Sequence, residues 1–216
     1  MSDFNLQRDI LEELSFDPRV DPAHIGVVAD QGVVTLTGHV SSYAEKLAAE
    51  QAVRRVKGVR AIAEEIEVRV PNHKKTADDE IAKRVLDILN WDSALPENAI
   101  RITVQDGWVN LEGEVDWQFQ RAAAQNRVSK LSGIVGVINN ITLKAQPQSP
   151  EIQRHIEAAL RRTAKIDADA IRVSVLANGQ VALAGPVHSW TEREAAEEAA
   201  WSVPGVTFVE NHLTTS

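Results

Sequence analysis

Residues 106–115 read DGWVNLEGEV, and the same phrase recurs as QGVVTLTGHV at 31–40 and as NGQVALAGPV at 178–187. The first glycines of the three copies are 75 and then 72 residues apart. Similar residues surround each copy, which indicates a tandem array of one small domain. The polar, proline-bearing segments 71–76 and 144–150 are typical of links between domains. We therefore predict three domains, at residues 1–71, 77–145 and 149–216.

The spacing of apolar residues predicts the same order of elements in every repeat. Apolar side chains at i, i+4 and i+8 predict an amphipathic first helix, with the stripes Leu6-Ile10-Leu14, Ile81-Val85-Leu89 and Ile152-Ile156-Leu160. Alternating residues and the repeated phrase then predict two strands, before a second helix and a last strand. The predicted fold is α+β. It has three tandem αββαβ repeats, each a three-stranded mixed sheet that two helices cover on one face.

The two glycines of the phrase have separate structural roles. The first supplies the positive φ that a tight hairpin turn requires, in Asp106-Gly107, in Asn178-Gly179 and, more weakly, in Gln31-Gly32. The second ends the returning strand where a side chain would crowd the neighbouring backbone. The phrase therefore specifies the fold of each repeat and binds nothing by itself.

Polar residues are predicted to begin the second helices. Ser42 with Glu45 and Ser189 with Glu192 fit the capping box, and Asp116 is the predicted cap of the middle copy. A domain of about 70 residues buries only about 60% of its unfolded surface, so we expect contacts between neighbouring repeats to add stability.

Composition excludes several kinds of site. The chain has no cysteine, so disulfides, thiolate metal ligands and cysteine nucleophiles are absent. The six histidines lack metal-ligand spacing, and no phosphate loop, dinucleotide fingerprint or Gly-x-Ser-x-Gly motif occurs. We predict no catalytic residues, no cofactor and no metal. The net charge of −8 opposes purely electrostatic binding of nucleic acid or anionic lipid.

The first residues contain neither the basic nor the apolar region of a signal peptide, and no run of 18 apolar residues occurs. The sequence as written therefore predicts a cytoplasmic protein. A periplasmic protein from which the export signal had been removed would look the same.

The order of elements and the spaced residues resemble the BON domain, a family named for bacterial OsmY and nodulation proteins. The middle copy fits the pattern at Gly107, Val109, Leu111, Gly113, Val115, Gly133, Val137, Asn139 and Ile141. Copy one has Glu64 where Asn139 and Asn211 stand, and copy three has Pro186 after its second glycine. The resemblance covers nearly the whole chain.

This resemblance implies a non-enzymatic module in osmotic or envelope stress that binds phospholipid, a membrane surface or an envelope partner. One cytoplasmic relative in the family binds potassium. The alternative is therefore a cytoplasmic protein that binds an ion such as potassium or acts as a scaffold for protein interactions. Exposed sheet edges additionally allow homo-oligomers to form by strand addition. Nucleic acid is not an expected partner.

Two groups of residues are candidates for contact with a lipid or a partner. The aromatic candidates lie at the start of the second helices and are Tyr43, Trp117, Phe119 and Trp190. The basic candidates lie late in the second helix of copy one and are Arg54, Arg55, Lys57 and Arg60. Each group has a structural interpretation as well. The aromatics could pack between repeats, and the cations, like Arg161, Arg162 and Lys165 in copy three, could complement a helix terminus.

Overall fold

A computed structural model describes residues 2–72, 76–144, 151–163 and 166–215. Parts of both predicted links, at 73–75 and 145–150, lie outside these ranges, and so does Lys165. Within the described residues, each repeat has the predicted order of elements. Domain 1 comprises α1 (Asp3–Phe16), β1 (Ile25–Asp30), β2 (Val33–Val40), α2 (Tyr43–Arg55) and β3 (Ala61–Val68). Domain 2 comprises α3 (Asp78–Trp91), β4 (Ile100–Gln105), β5 (Trp108–Val115), α4 (Gln118–Val128) and β6 (Gly136–Leu143). Domain 3 comprises α5 (Ile152–Arg162), β7 (Arg172–Val175), β8 (Gln180–Val187), α6 (Trp190–Trp201) and β9 (Phe208–Thr215).

Each domain forms its own three-stranded mixed sheet. The first two strands pair antiparallel, and the last strand pairs parallel to the second, which lies in the centre. The same register recurs in the other two domains. Two helices cover one face of each sheet, so the predicted α+β architecture is confirmed.

Each domain also has a separate hydrophobic core. The predicted apolar stripes of the first helices are buried, since Leu14, Val85 and Ile156 are completely inaccessible to solvent. The second helices contribute small residues, such as Ala49 and Ala124, which let the helix lie close to the sheet. Burial of these apolar faces is the main source of stability in each domain.

The glycine phrase forms a tight turn in every domain. Gln31, Asp106 and Asn178 have φ values of 49°, 51° and 59°, and the glycine that follows each of them also has positive φ. In domain 3 the turn has one additional residue and forms a short 3-10 helix, Ala177–Gly179. The second glycines have φ values between 108° and 143°, and a Cβ there would collide with a backbone carbonyl before the first strand. Both predicted roles of the glycines are confirmed.

Two of the three predicted helix caps are confirmed, and the third is wrong. The hydroxyls of Ser42 and Ser189 accept hydrogen bonds from backbone N–H groups three residues later. In domain 2, however, Trp117 occupies the cap position, and Gln120 Oε1 accepts hydrogen bonds from the backbone N–H groups of Asp116 and Trp117 at 3.1 Å each. Because Gln120 satisfies these donors, the Asp116 carboxylate is left to pair with Lys144 at 3.0 Å.

The residue three positions after the cap also ties the second helix to the loop that follows the first. In domain 1 Glu45 accepts a hydrogen bond from the backbone N–H of Asp21, and in domain 3 Glu192 accepts one from that of Asp167. In domain 2 Gln120 instead donates to the Ala94 carbonyl. One position therefore caps a helix and holds a loop in all three domains.

Candidate functional site at the domain junctions

The second helices lie at the domain junctions, and the contact between α2 and α6 joins domain 1 to domain 3. Trp190, the first residue of α6, packs against the core of domain 1, and its indole N–H donates to the Val59 carbonyl at 2.9 Å. The guanidinium groups of Arg54 and Arg193 lie 5.3 and 5.0 Å from the centre of its ring. Arg54 also bonds to Glu194 of α6 at 2.8 Å. Trp190 is therefore an anchor between two domains.

The junction of domain 1 with domain 2 uses the equivalent residue of α2. Tyr43, which begins α2, packs against the core of domain 2. Burial raises the pKa of the Tyr43 phenol, against the effect of a hydrogen bond with the Val137 backbone. Tyr43 thus anchors domain 1 to domain 2 as Trp190 anchors domain 3 to domain 1.

The junction of domain 2 with domain 3 has a glutamine at this position. Gln118 begins α4 and, with Trp117, lies beside the segment Val203–Thr207 of domain 3. The Oε1 atom of Gln118 is inaccessible to solvent and accepts no hydrogen bond from any residue that the structure describes. This junction therefore lacks the aromatic anchor that the other two have.

Together the three junctions close a ring. The start of the second helix in domains 1, 2 and 3 contacts domains 2, 3 and 1, respectively. Head-to-tail interfaces of this kind close when the rotation between units returns to its origin. Contacts that repeat from each domain to the next in this way describe an approximately threefold ring, in which we expect equivalent residues at the same level.

Equivalent cavities open at two of the junctions, and they differ in size and lining. A cavity of about 350 Å³ lies between the start of α2 and the end of α4, lined by small and polar residues that include Ala44 and Ser129. A cavity of about 870 Å³ lies between the start of α4 and the end of α6. There the same positions hold Phe119 and Trp201. Of the aromatic candidates, Trp117 and Phe119 remain 38% and 59% exposed around this larger cavity.

The basic candidates separate into a paired and an exposed group. Arg54 bonds to Glu50 and Glu194, and Arg55 bonds to Glu13 and Asp17. Hydrogen bonds from Arg19 and, secondarily, from Arg55 hold the pKa of the buried Asp17 carboxyl well below its usual range. Lys57 and Arg60 are exposed. The cluster predicted from sequence therefore leaves two basic side chains accessible to an anionic partner.

Of the exposed aromatic residues outside the sequence candidates, two recur at the end of the first helix. Phe16 and Trp91 are the last residues of α1 and α3, at equivalent positions, and they are 81% and 90% exposed. Each comes two residues after the last buried member of its helical stripe, Leu14 or Leu89, so it points away from the core. The exposure of both residues could have been predicted from the sequence, because each is a large aromatic side chain outside the apolar stripe of its helix.

Basic residues lie at the same end of the domains as these aromatics. Because Arg55 reaches Asp17, the ends of α1 and α2 are side by side, and the exposed Lys57 follows Arg55 by two residues. The bond of 2.9 Å from Arg127 to Asp92 aligns the ends of α3 and α4 in the same way. Exposed cations at or just after the ends of α2, α4 and α5 include Lys57, Lys130, Arg161 and Arg162.

Within the described part of the chain, no three His, Asp or Glu residues are grouped so that they could hold a metal ion. None of the described helices has the length and apolar run needed to cross a bilayer.

A family model of the BON domain matches residues 2–70, 77–145 and 148–216. The chain belongs to the BON domain family. Osmotically-inducible protein Y of Escherichia coli (strain K12) is 26% identical over 148 residues, which are 67% of this BON protein and 74% of the relative. Among solved structures, the C-terminal domain of CdsD, the structural protein of the type III secretion system of Chlamydia trachomatis, is 15% identical. That alignment covers 100% of both chains, with a TM-score of 0.27 that supports no further conclusion.

Proposed function

We propose that this triple-BON protein acts without catalysis in osmotic or envelope stress and binds a phospholipid membrane surface. The stress role is supported by the similarity to osmotically-inducible protein Y and by the three BON domains, which account for nearly the whole chain. The membrane-binding role is supported by exposed aromatic side chains at the ends of first helices and by exposed basic side chains at the ends of first and second helices.

The observation that carries the membrane proposal is the exposure of Phe16 and Trp91. Single exposed apolar residues are ordinary on protein surfaces, but these two recur at equivalent positions of adjacent domains. In an approximately threefold ring we expect both side chains at the same level, where both can meet the same flat surface. Aromatic rings favour the boundary between acyl chains and headgroups.

The neighbouring cations add an electrostatic contribution. Lys57, Lys130, Arg161 and Arg162 are exposed, and none of them pairs with a described carboxylate. Each basic residue close to an anionic bilayer contributes about 1 kcal/mol. The four together favour approach to an anionic surface in spite of the net charge of −8.

Co-sedimentation with vesicles tests this proposal. The full chain is mixed with phosphatidylcholine vesicles that contain or lack phosphatidylglycerol, at low and at physiological salt. We expect sedimentation with the anionic vesicles, weakened by salt because the lysine and arginine contribution is screened. A protein that stays in the supernatant at both salt concentrations would refute membrane binding.

A double variant, Phe16→Ser with Trp91→Ser, tests the contact site. We expect it to lose most vesicle binding while it keeps its thermal stability, because both side chains are exposed. Phe4→Ser is the matched control, since Phe4 is 75% exposed at the opposite end of α1. Equal binding by the double variant and the control would exclude the helix ends as the contact.

A further inference from the structure

The larger junction cavity, between domains 2 and 3, combines aromatic rings with carboxylates. Its aromatic residues are Trp117 and Phe119, at the start of α4, and Trp201, at the end of α6. Its volume of about 870 Å³ lies within the range of small-molecule sites. We call it the acidic aromatic cavity. Its lining differs from that of a simple packing defect, which would be apolar throughout.

The charge in this cavity is not balanced by its own cation. Glu194, Glu197 and Glu198 line it, against the single guanidinium of Arg54, which Glu50 and Glu194 already engage. Glu197 accepts hydrogen bonds only from neutral donors, the Asn211 amide at 2.8 Å and the Trp201 indole at 3.4 Å, among the described residues. Glu198 bonds to no described side chain. Two carboxylates therefore lack a positive partner among the residues that the structure describes.

The end of α6 makes this imbalance more pronounced. A helix C-terminus carries partial negative charge, and α2 and α4 complement it with Arg54 and Arg55 or with Arg127. The last turn of α6 has no basic residue and contains Glu198 instead. At the equivalent junction of domains 1 and 2 the corresponding position is Asn126. The acidic aromatic lining is thus specific to one of the three junctions.

We propose that the acidic aromatic cavity binds a small organic cation with a methylated ammonium group. Aromatic faces attract such cations through the negative charge of the π-system, and uncompensated carboxylates add long-range attraction. A bare metal ion gains little from aromatic walls and requires converging oxygen ligands, whereas a methylated ammonium has apolar surface that suits the rings. This site is independent of the proposed membrane contact, which lies at the ends of the first helices.

The test is a calorimetric titration of the full chain with tetramethylammonium chloride, with potassium chloride at matched ionic strength and tert-butanol as a neutral comparison. We expect saturable binding of tetramethylammonium and no saturable binding of the other two. The same ammonium chemistry occurs in choline headgroups, so a second arm uses a short-chain phosphocholine lipid below its micelle concentration. Binding of both supports a soluble cation site, and binding of the lipid alone supports a headgroup site. Binding of neither, or equal binding of tert-butanol, overturns the proposal.

Variants locate the site within the cavity. Glu198→Gln removes a carboxylate without a described partner and should weaken binding about fivefold. Phe119→Leu keeps an apolar side chain, removes a ring that is 59% exposed and should weaken it about threefold. Trp201→Leu should weaken it about tenfold or more. Glu65→Gln, on the exposed face of β3, is the control. If Glu198→Gln and Phe119→Leu bind like the control, the ligand is elsewhere and the proposal fails.

Discussion

The junction of domain 3 with domain 1 and that of domain 2 with domain 3 are built on the same scaffold and differ in what fills them. At the first, Trp190 donates to the Val59 carbonyl, and two guanidinium groups lie 5.3 and 5.0 Å from the centre of its ring. At the second, Gln118 stands in the equivalent place with a buried oxygen that no described residue satisfies, and a large cavity remains beside it. Residues at the first junction hold two domains together, whereas residues at the second line a cavity that can hold a ligand.

Substitution of the second glycine of the repeated phrase should lower the stability of all three domains equally. Replacement of Gly38, Gly113 or Gly185 by alanine puts a Cβ against a backbone carbonyl at a positive φ. We expect each variant to lose about 3 kcal/mol of its free energy of unfolding, measured by urea denaturation. Gly26→Ala is the control for a strand glycine without positive φ, where the nearest atom is a threonine hydroxyl. One tolerant position among the three would show that the domains are not equivalent.

The stability of the junction between domains 3 and 1 should depend strongly on Trp190. Trp190→Ala removes a hydrogen bond and aromatic packing against the core of domain 1, so we expect a loss of about 2–3 kcal/mol in urea denaturation. Trp91→Ala removes the same side chain from a position that is 90% exposed and should change stability by less than about 0.5 kcal/mol. Similar losses in the two variants would contradict the anchoring role of Trp190.

Much of the fold could be predicted from the sequence, because its determinants are local. The turn needs positive φ at two adjacent residues, and the helical stripes need apolar residues four apart, so short segments contain both signals. The junctions have no local signal. The bond between Arg54 and Glu194 joins residues 140 positions apart, and only closure of the ring brings them together. The sequence therefore identified Trp190 as an amphipathic candidate without showing that it faces another domain.

The candidate membrane contact could be predicted from the sequence only in part. Phe16 and Trp91 carry a readable signal, since each lies off the apolar stripe of its helix. Their significance comes from their equivalence in the ring, which three-dimensional structure supplies. Conversely, the cluster from Arg54 to Arg60 is basic in sequence, but Arg54 and Arg55 are paired with carboxylates from α1, α2 and α6.

Acid should affect domain 3 through Glu192. Burial opposes ionisation of this carboxyl, but hydrogen bonds from the backbone N–H groups of Asp167 and His188, and from the His188 ring, outweigh burial and lower its pKa. A lowered folded pKa means that the stabilisation is complete above the ordinary value of 4.5 and is lost as pH falls through the folded value.

We therefore expect Glu192→Gln to cost about 1 kcal/mol at pH 7, and this difference from the unmodified protein to shrink below about pH 4.5. Urea denaturation across pH 3–7 measures it. Glu198→Gln, a change of an exposed carboxylate on the same helix, should show no such pH dependence. A constant effect of Glu192→Gln over this range would contradict the assignment. Domain 2, with Gln120 at the equivalent position, already lacks this carboxylate.

A gain in stability, rather than a loss, is expected at the junction of domain 2 with domain 3. Gln118→Leu keeps nearly the same volume and removes the buried oxygen that has no described partner, so we expect a gain of about 1 kcal/mol in the free energy of unfolding. Gln153→Leu, on the exposed side of α5, is the matched control and should have little effect. A loss of stability in Gln118→Leu would mean that the amide makes a favourable contact in the ring. The gain would instead show that domain 2 retains a polar residue at the cost of stability, where the other domains use an aromatic anchor.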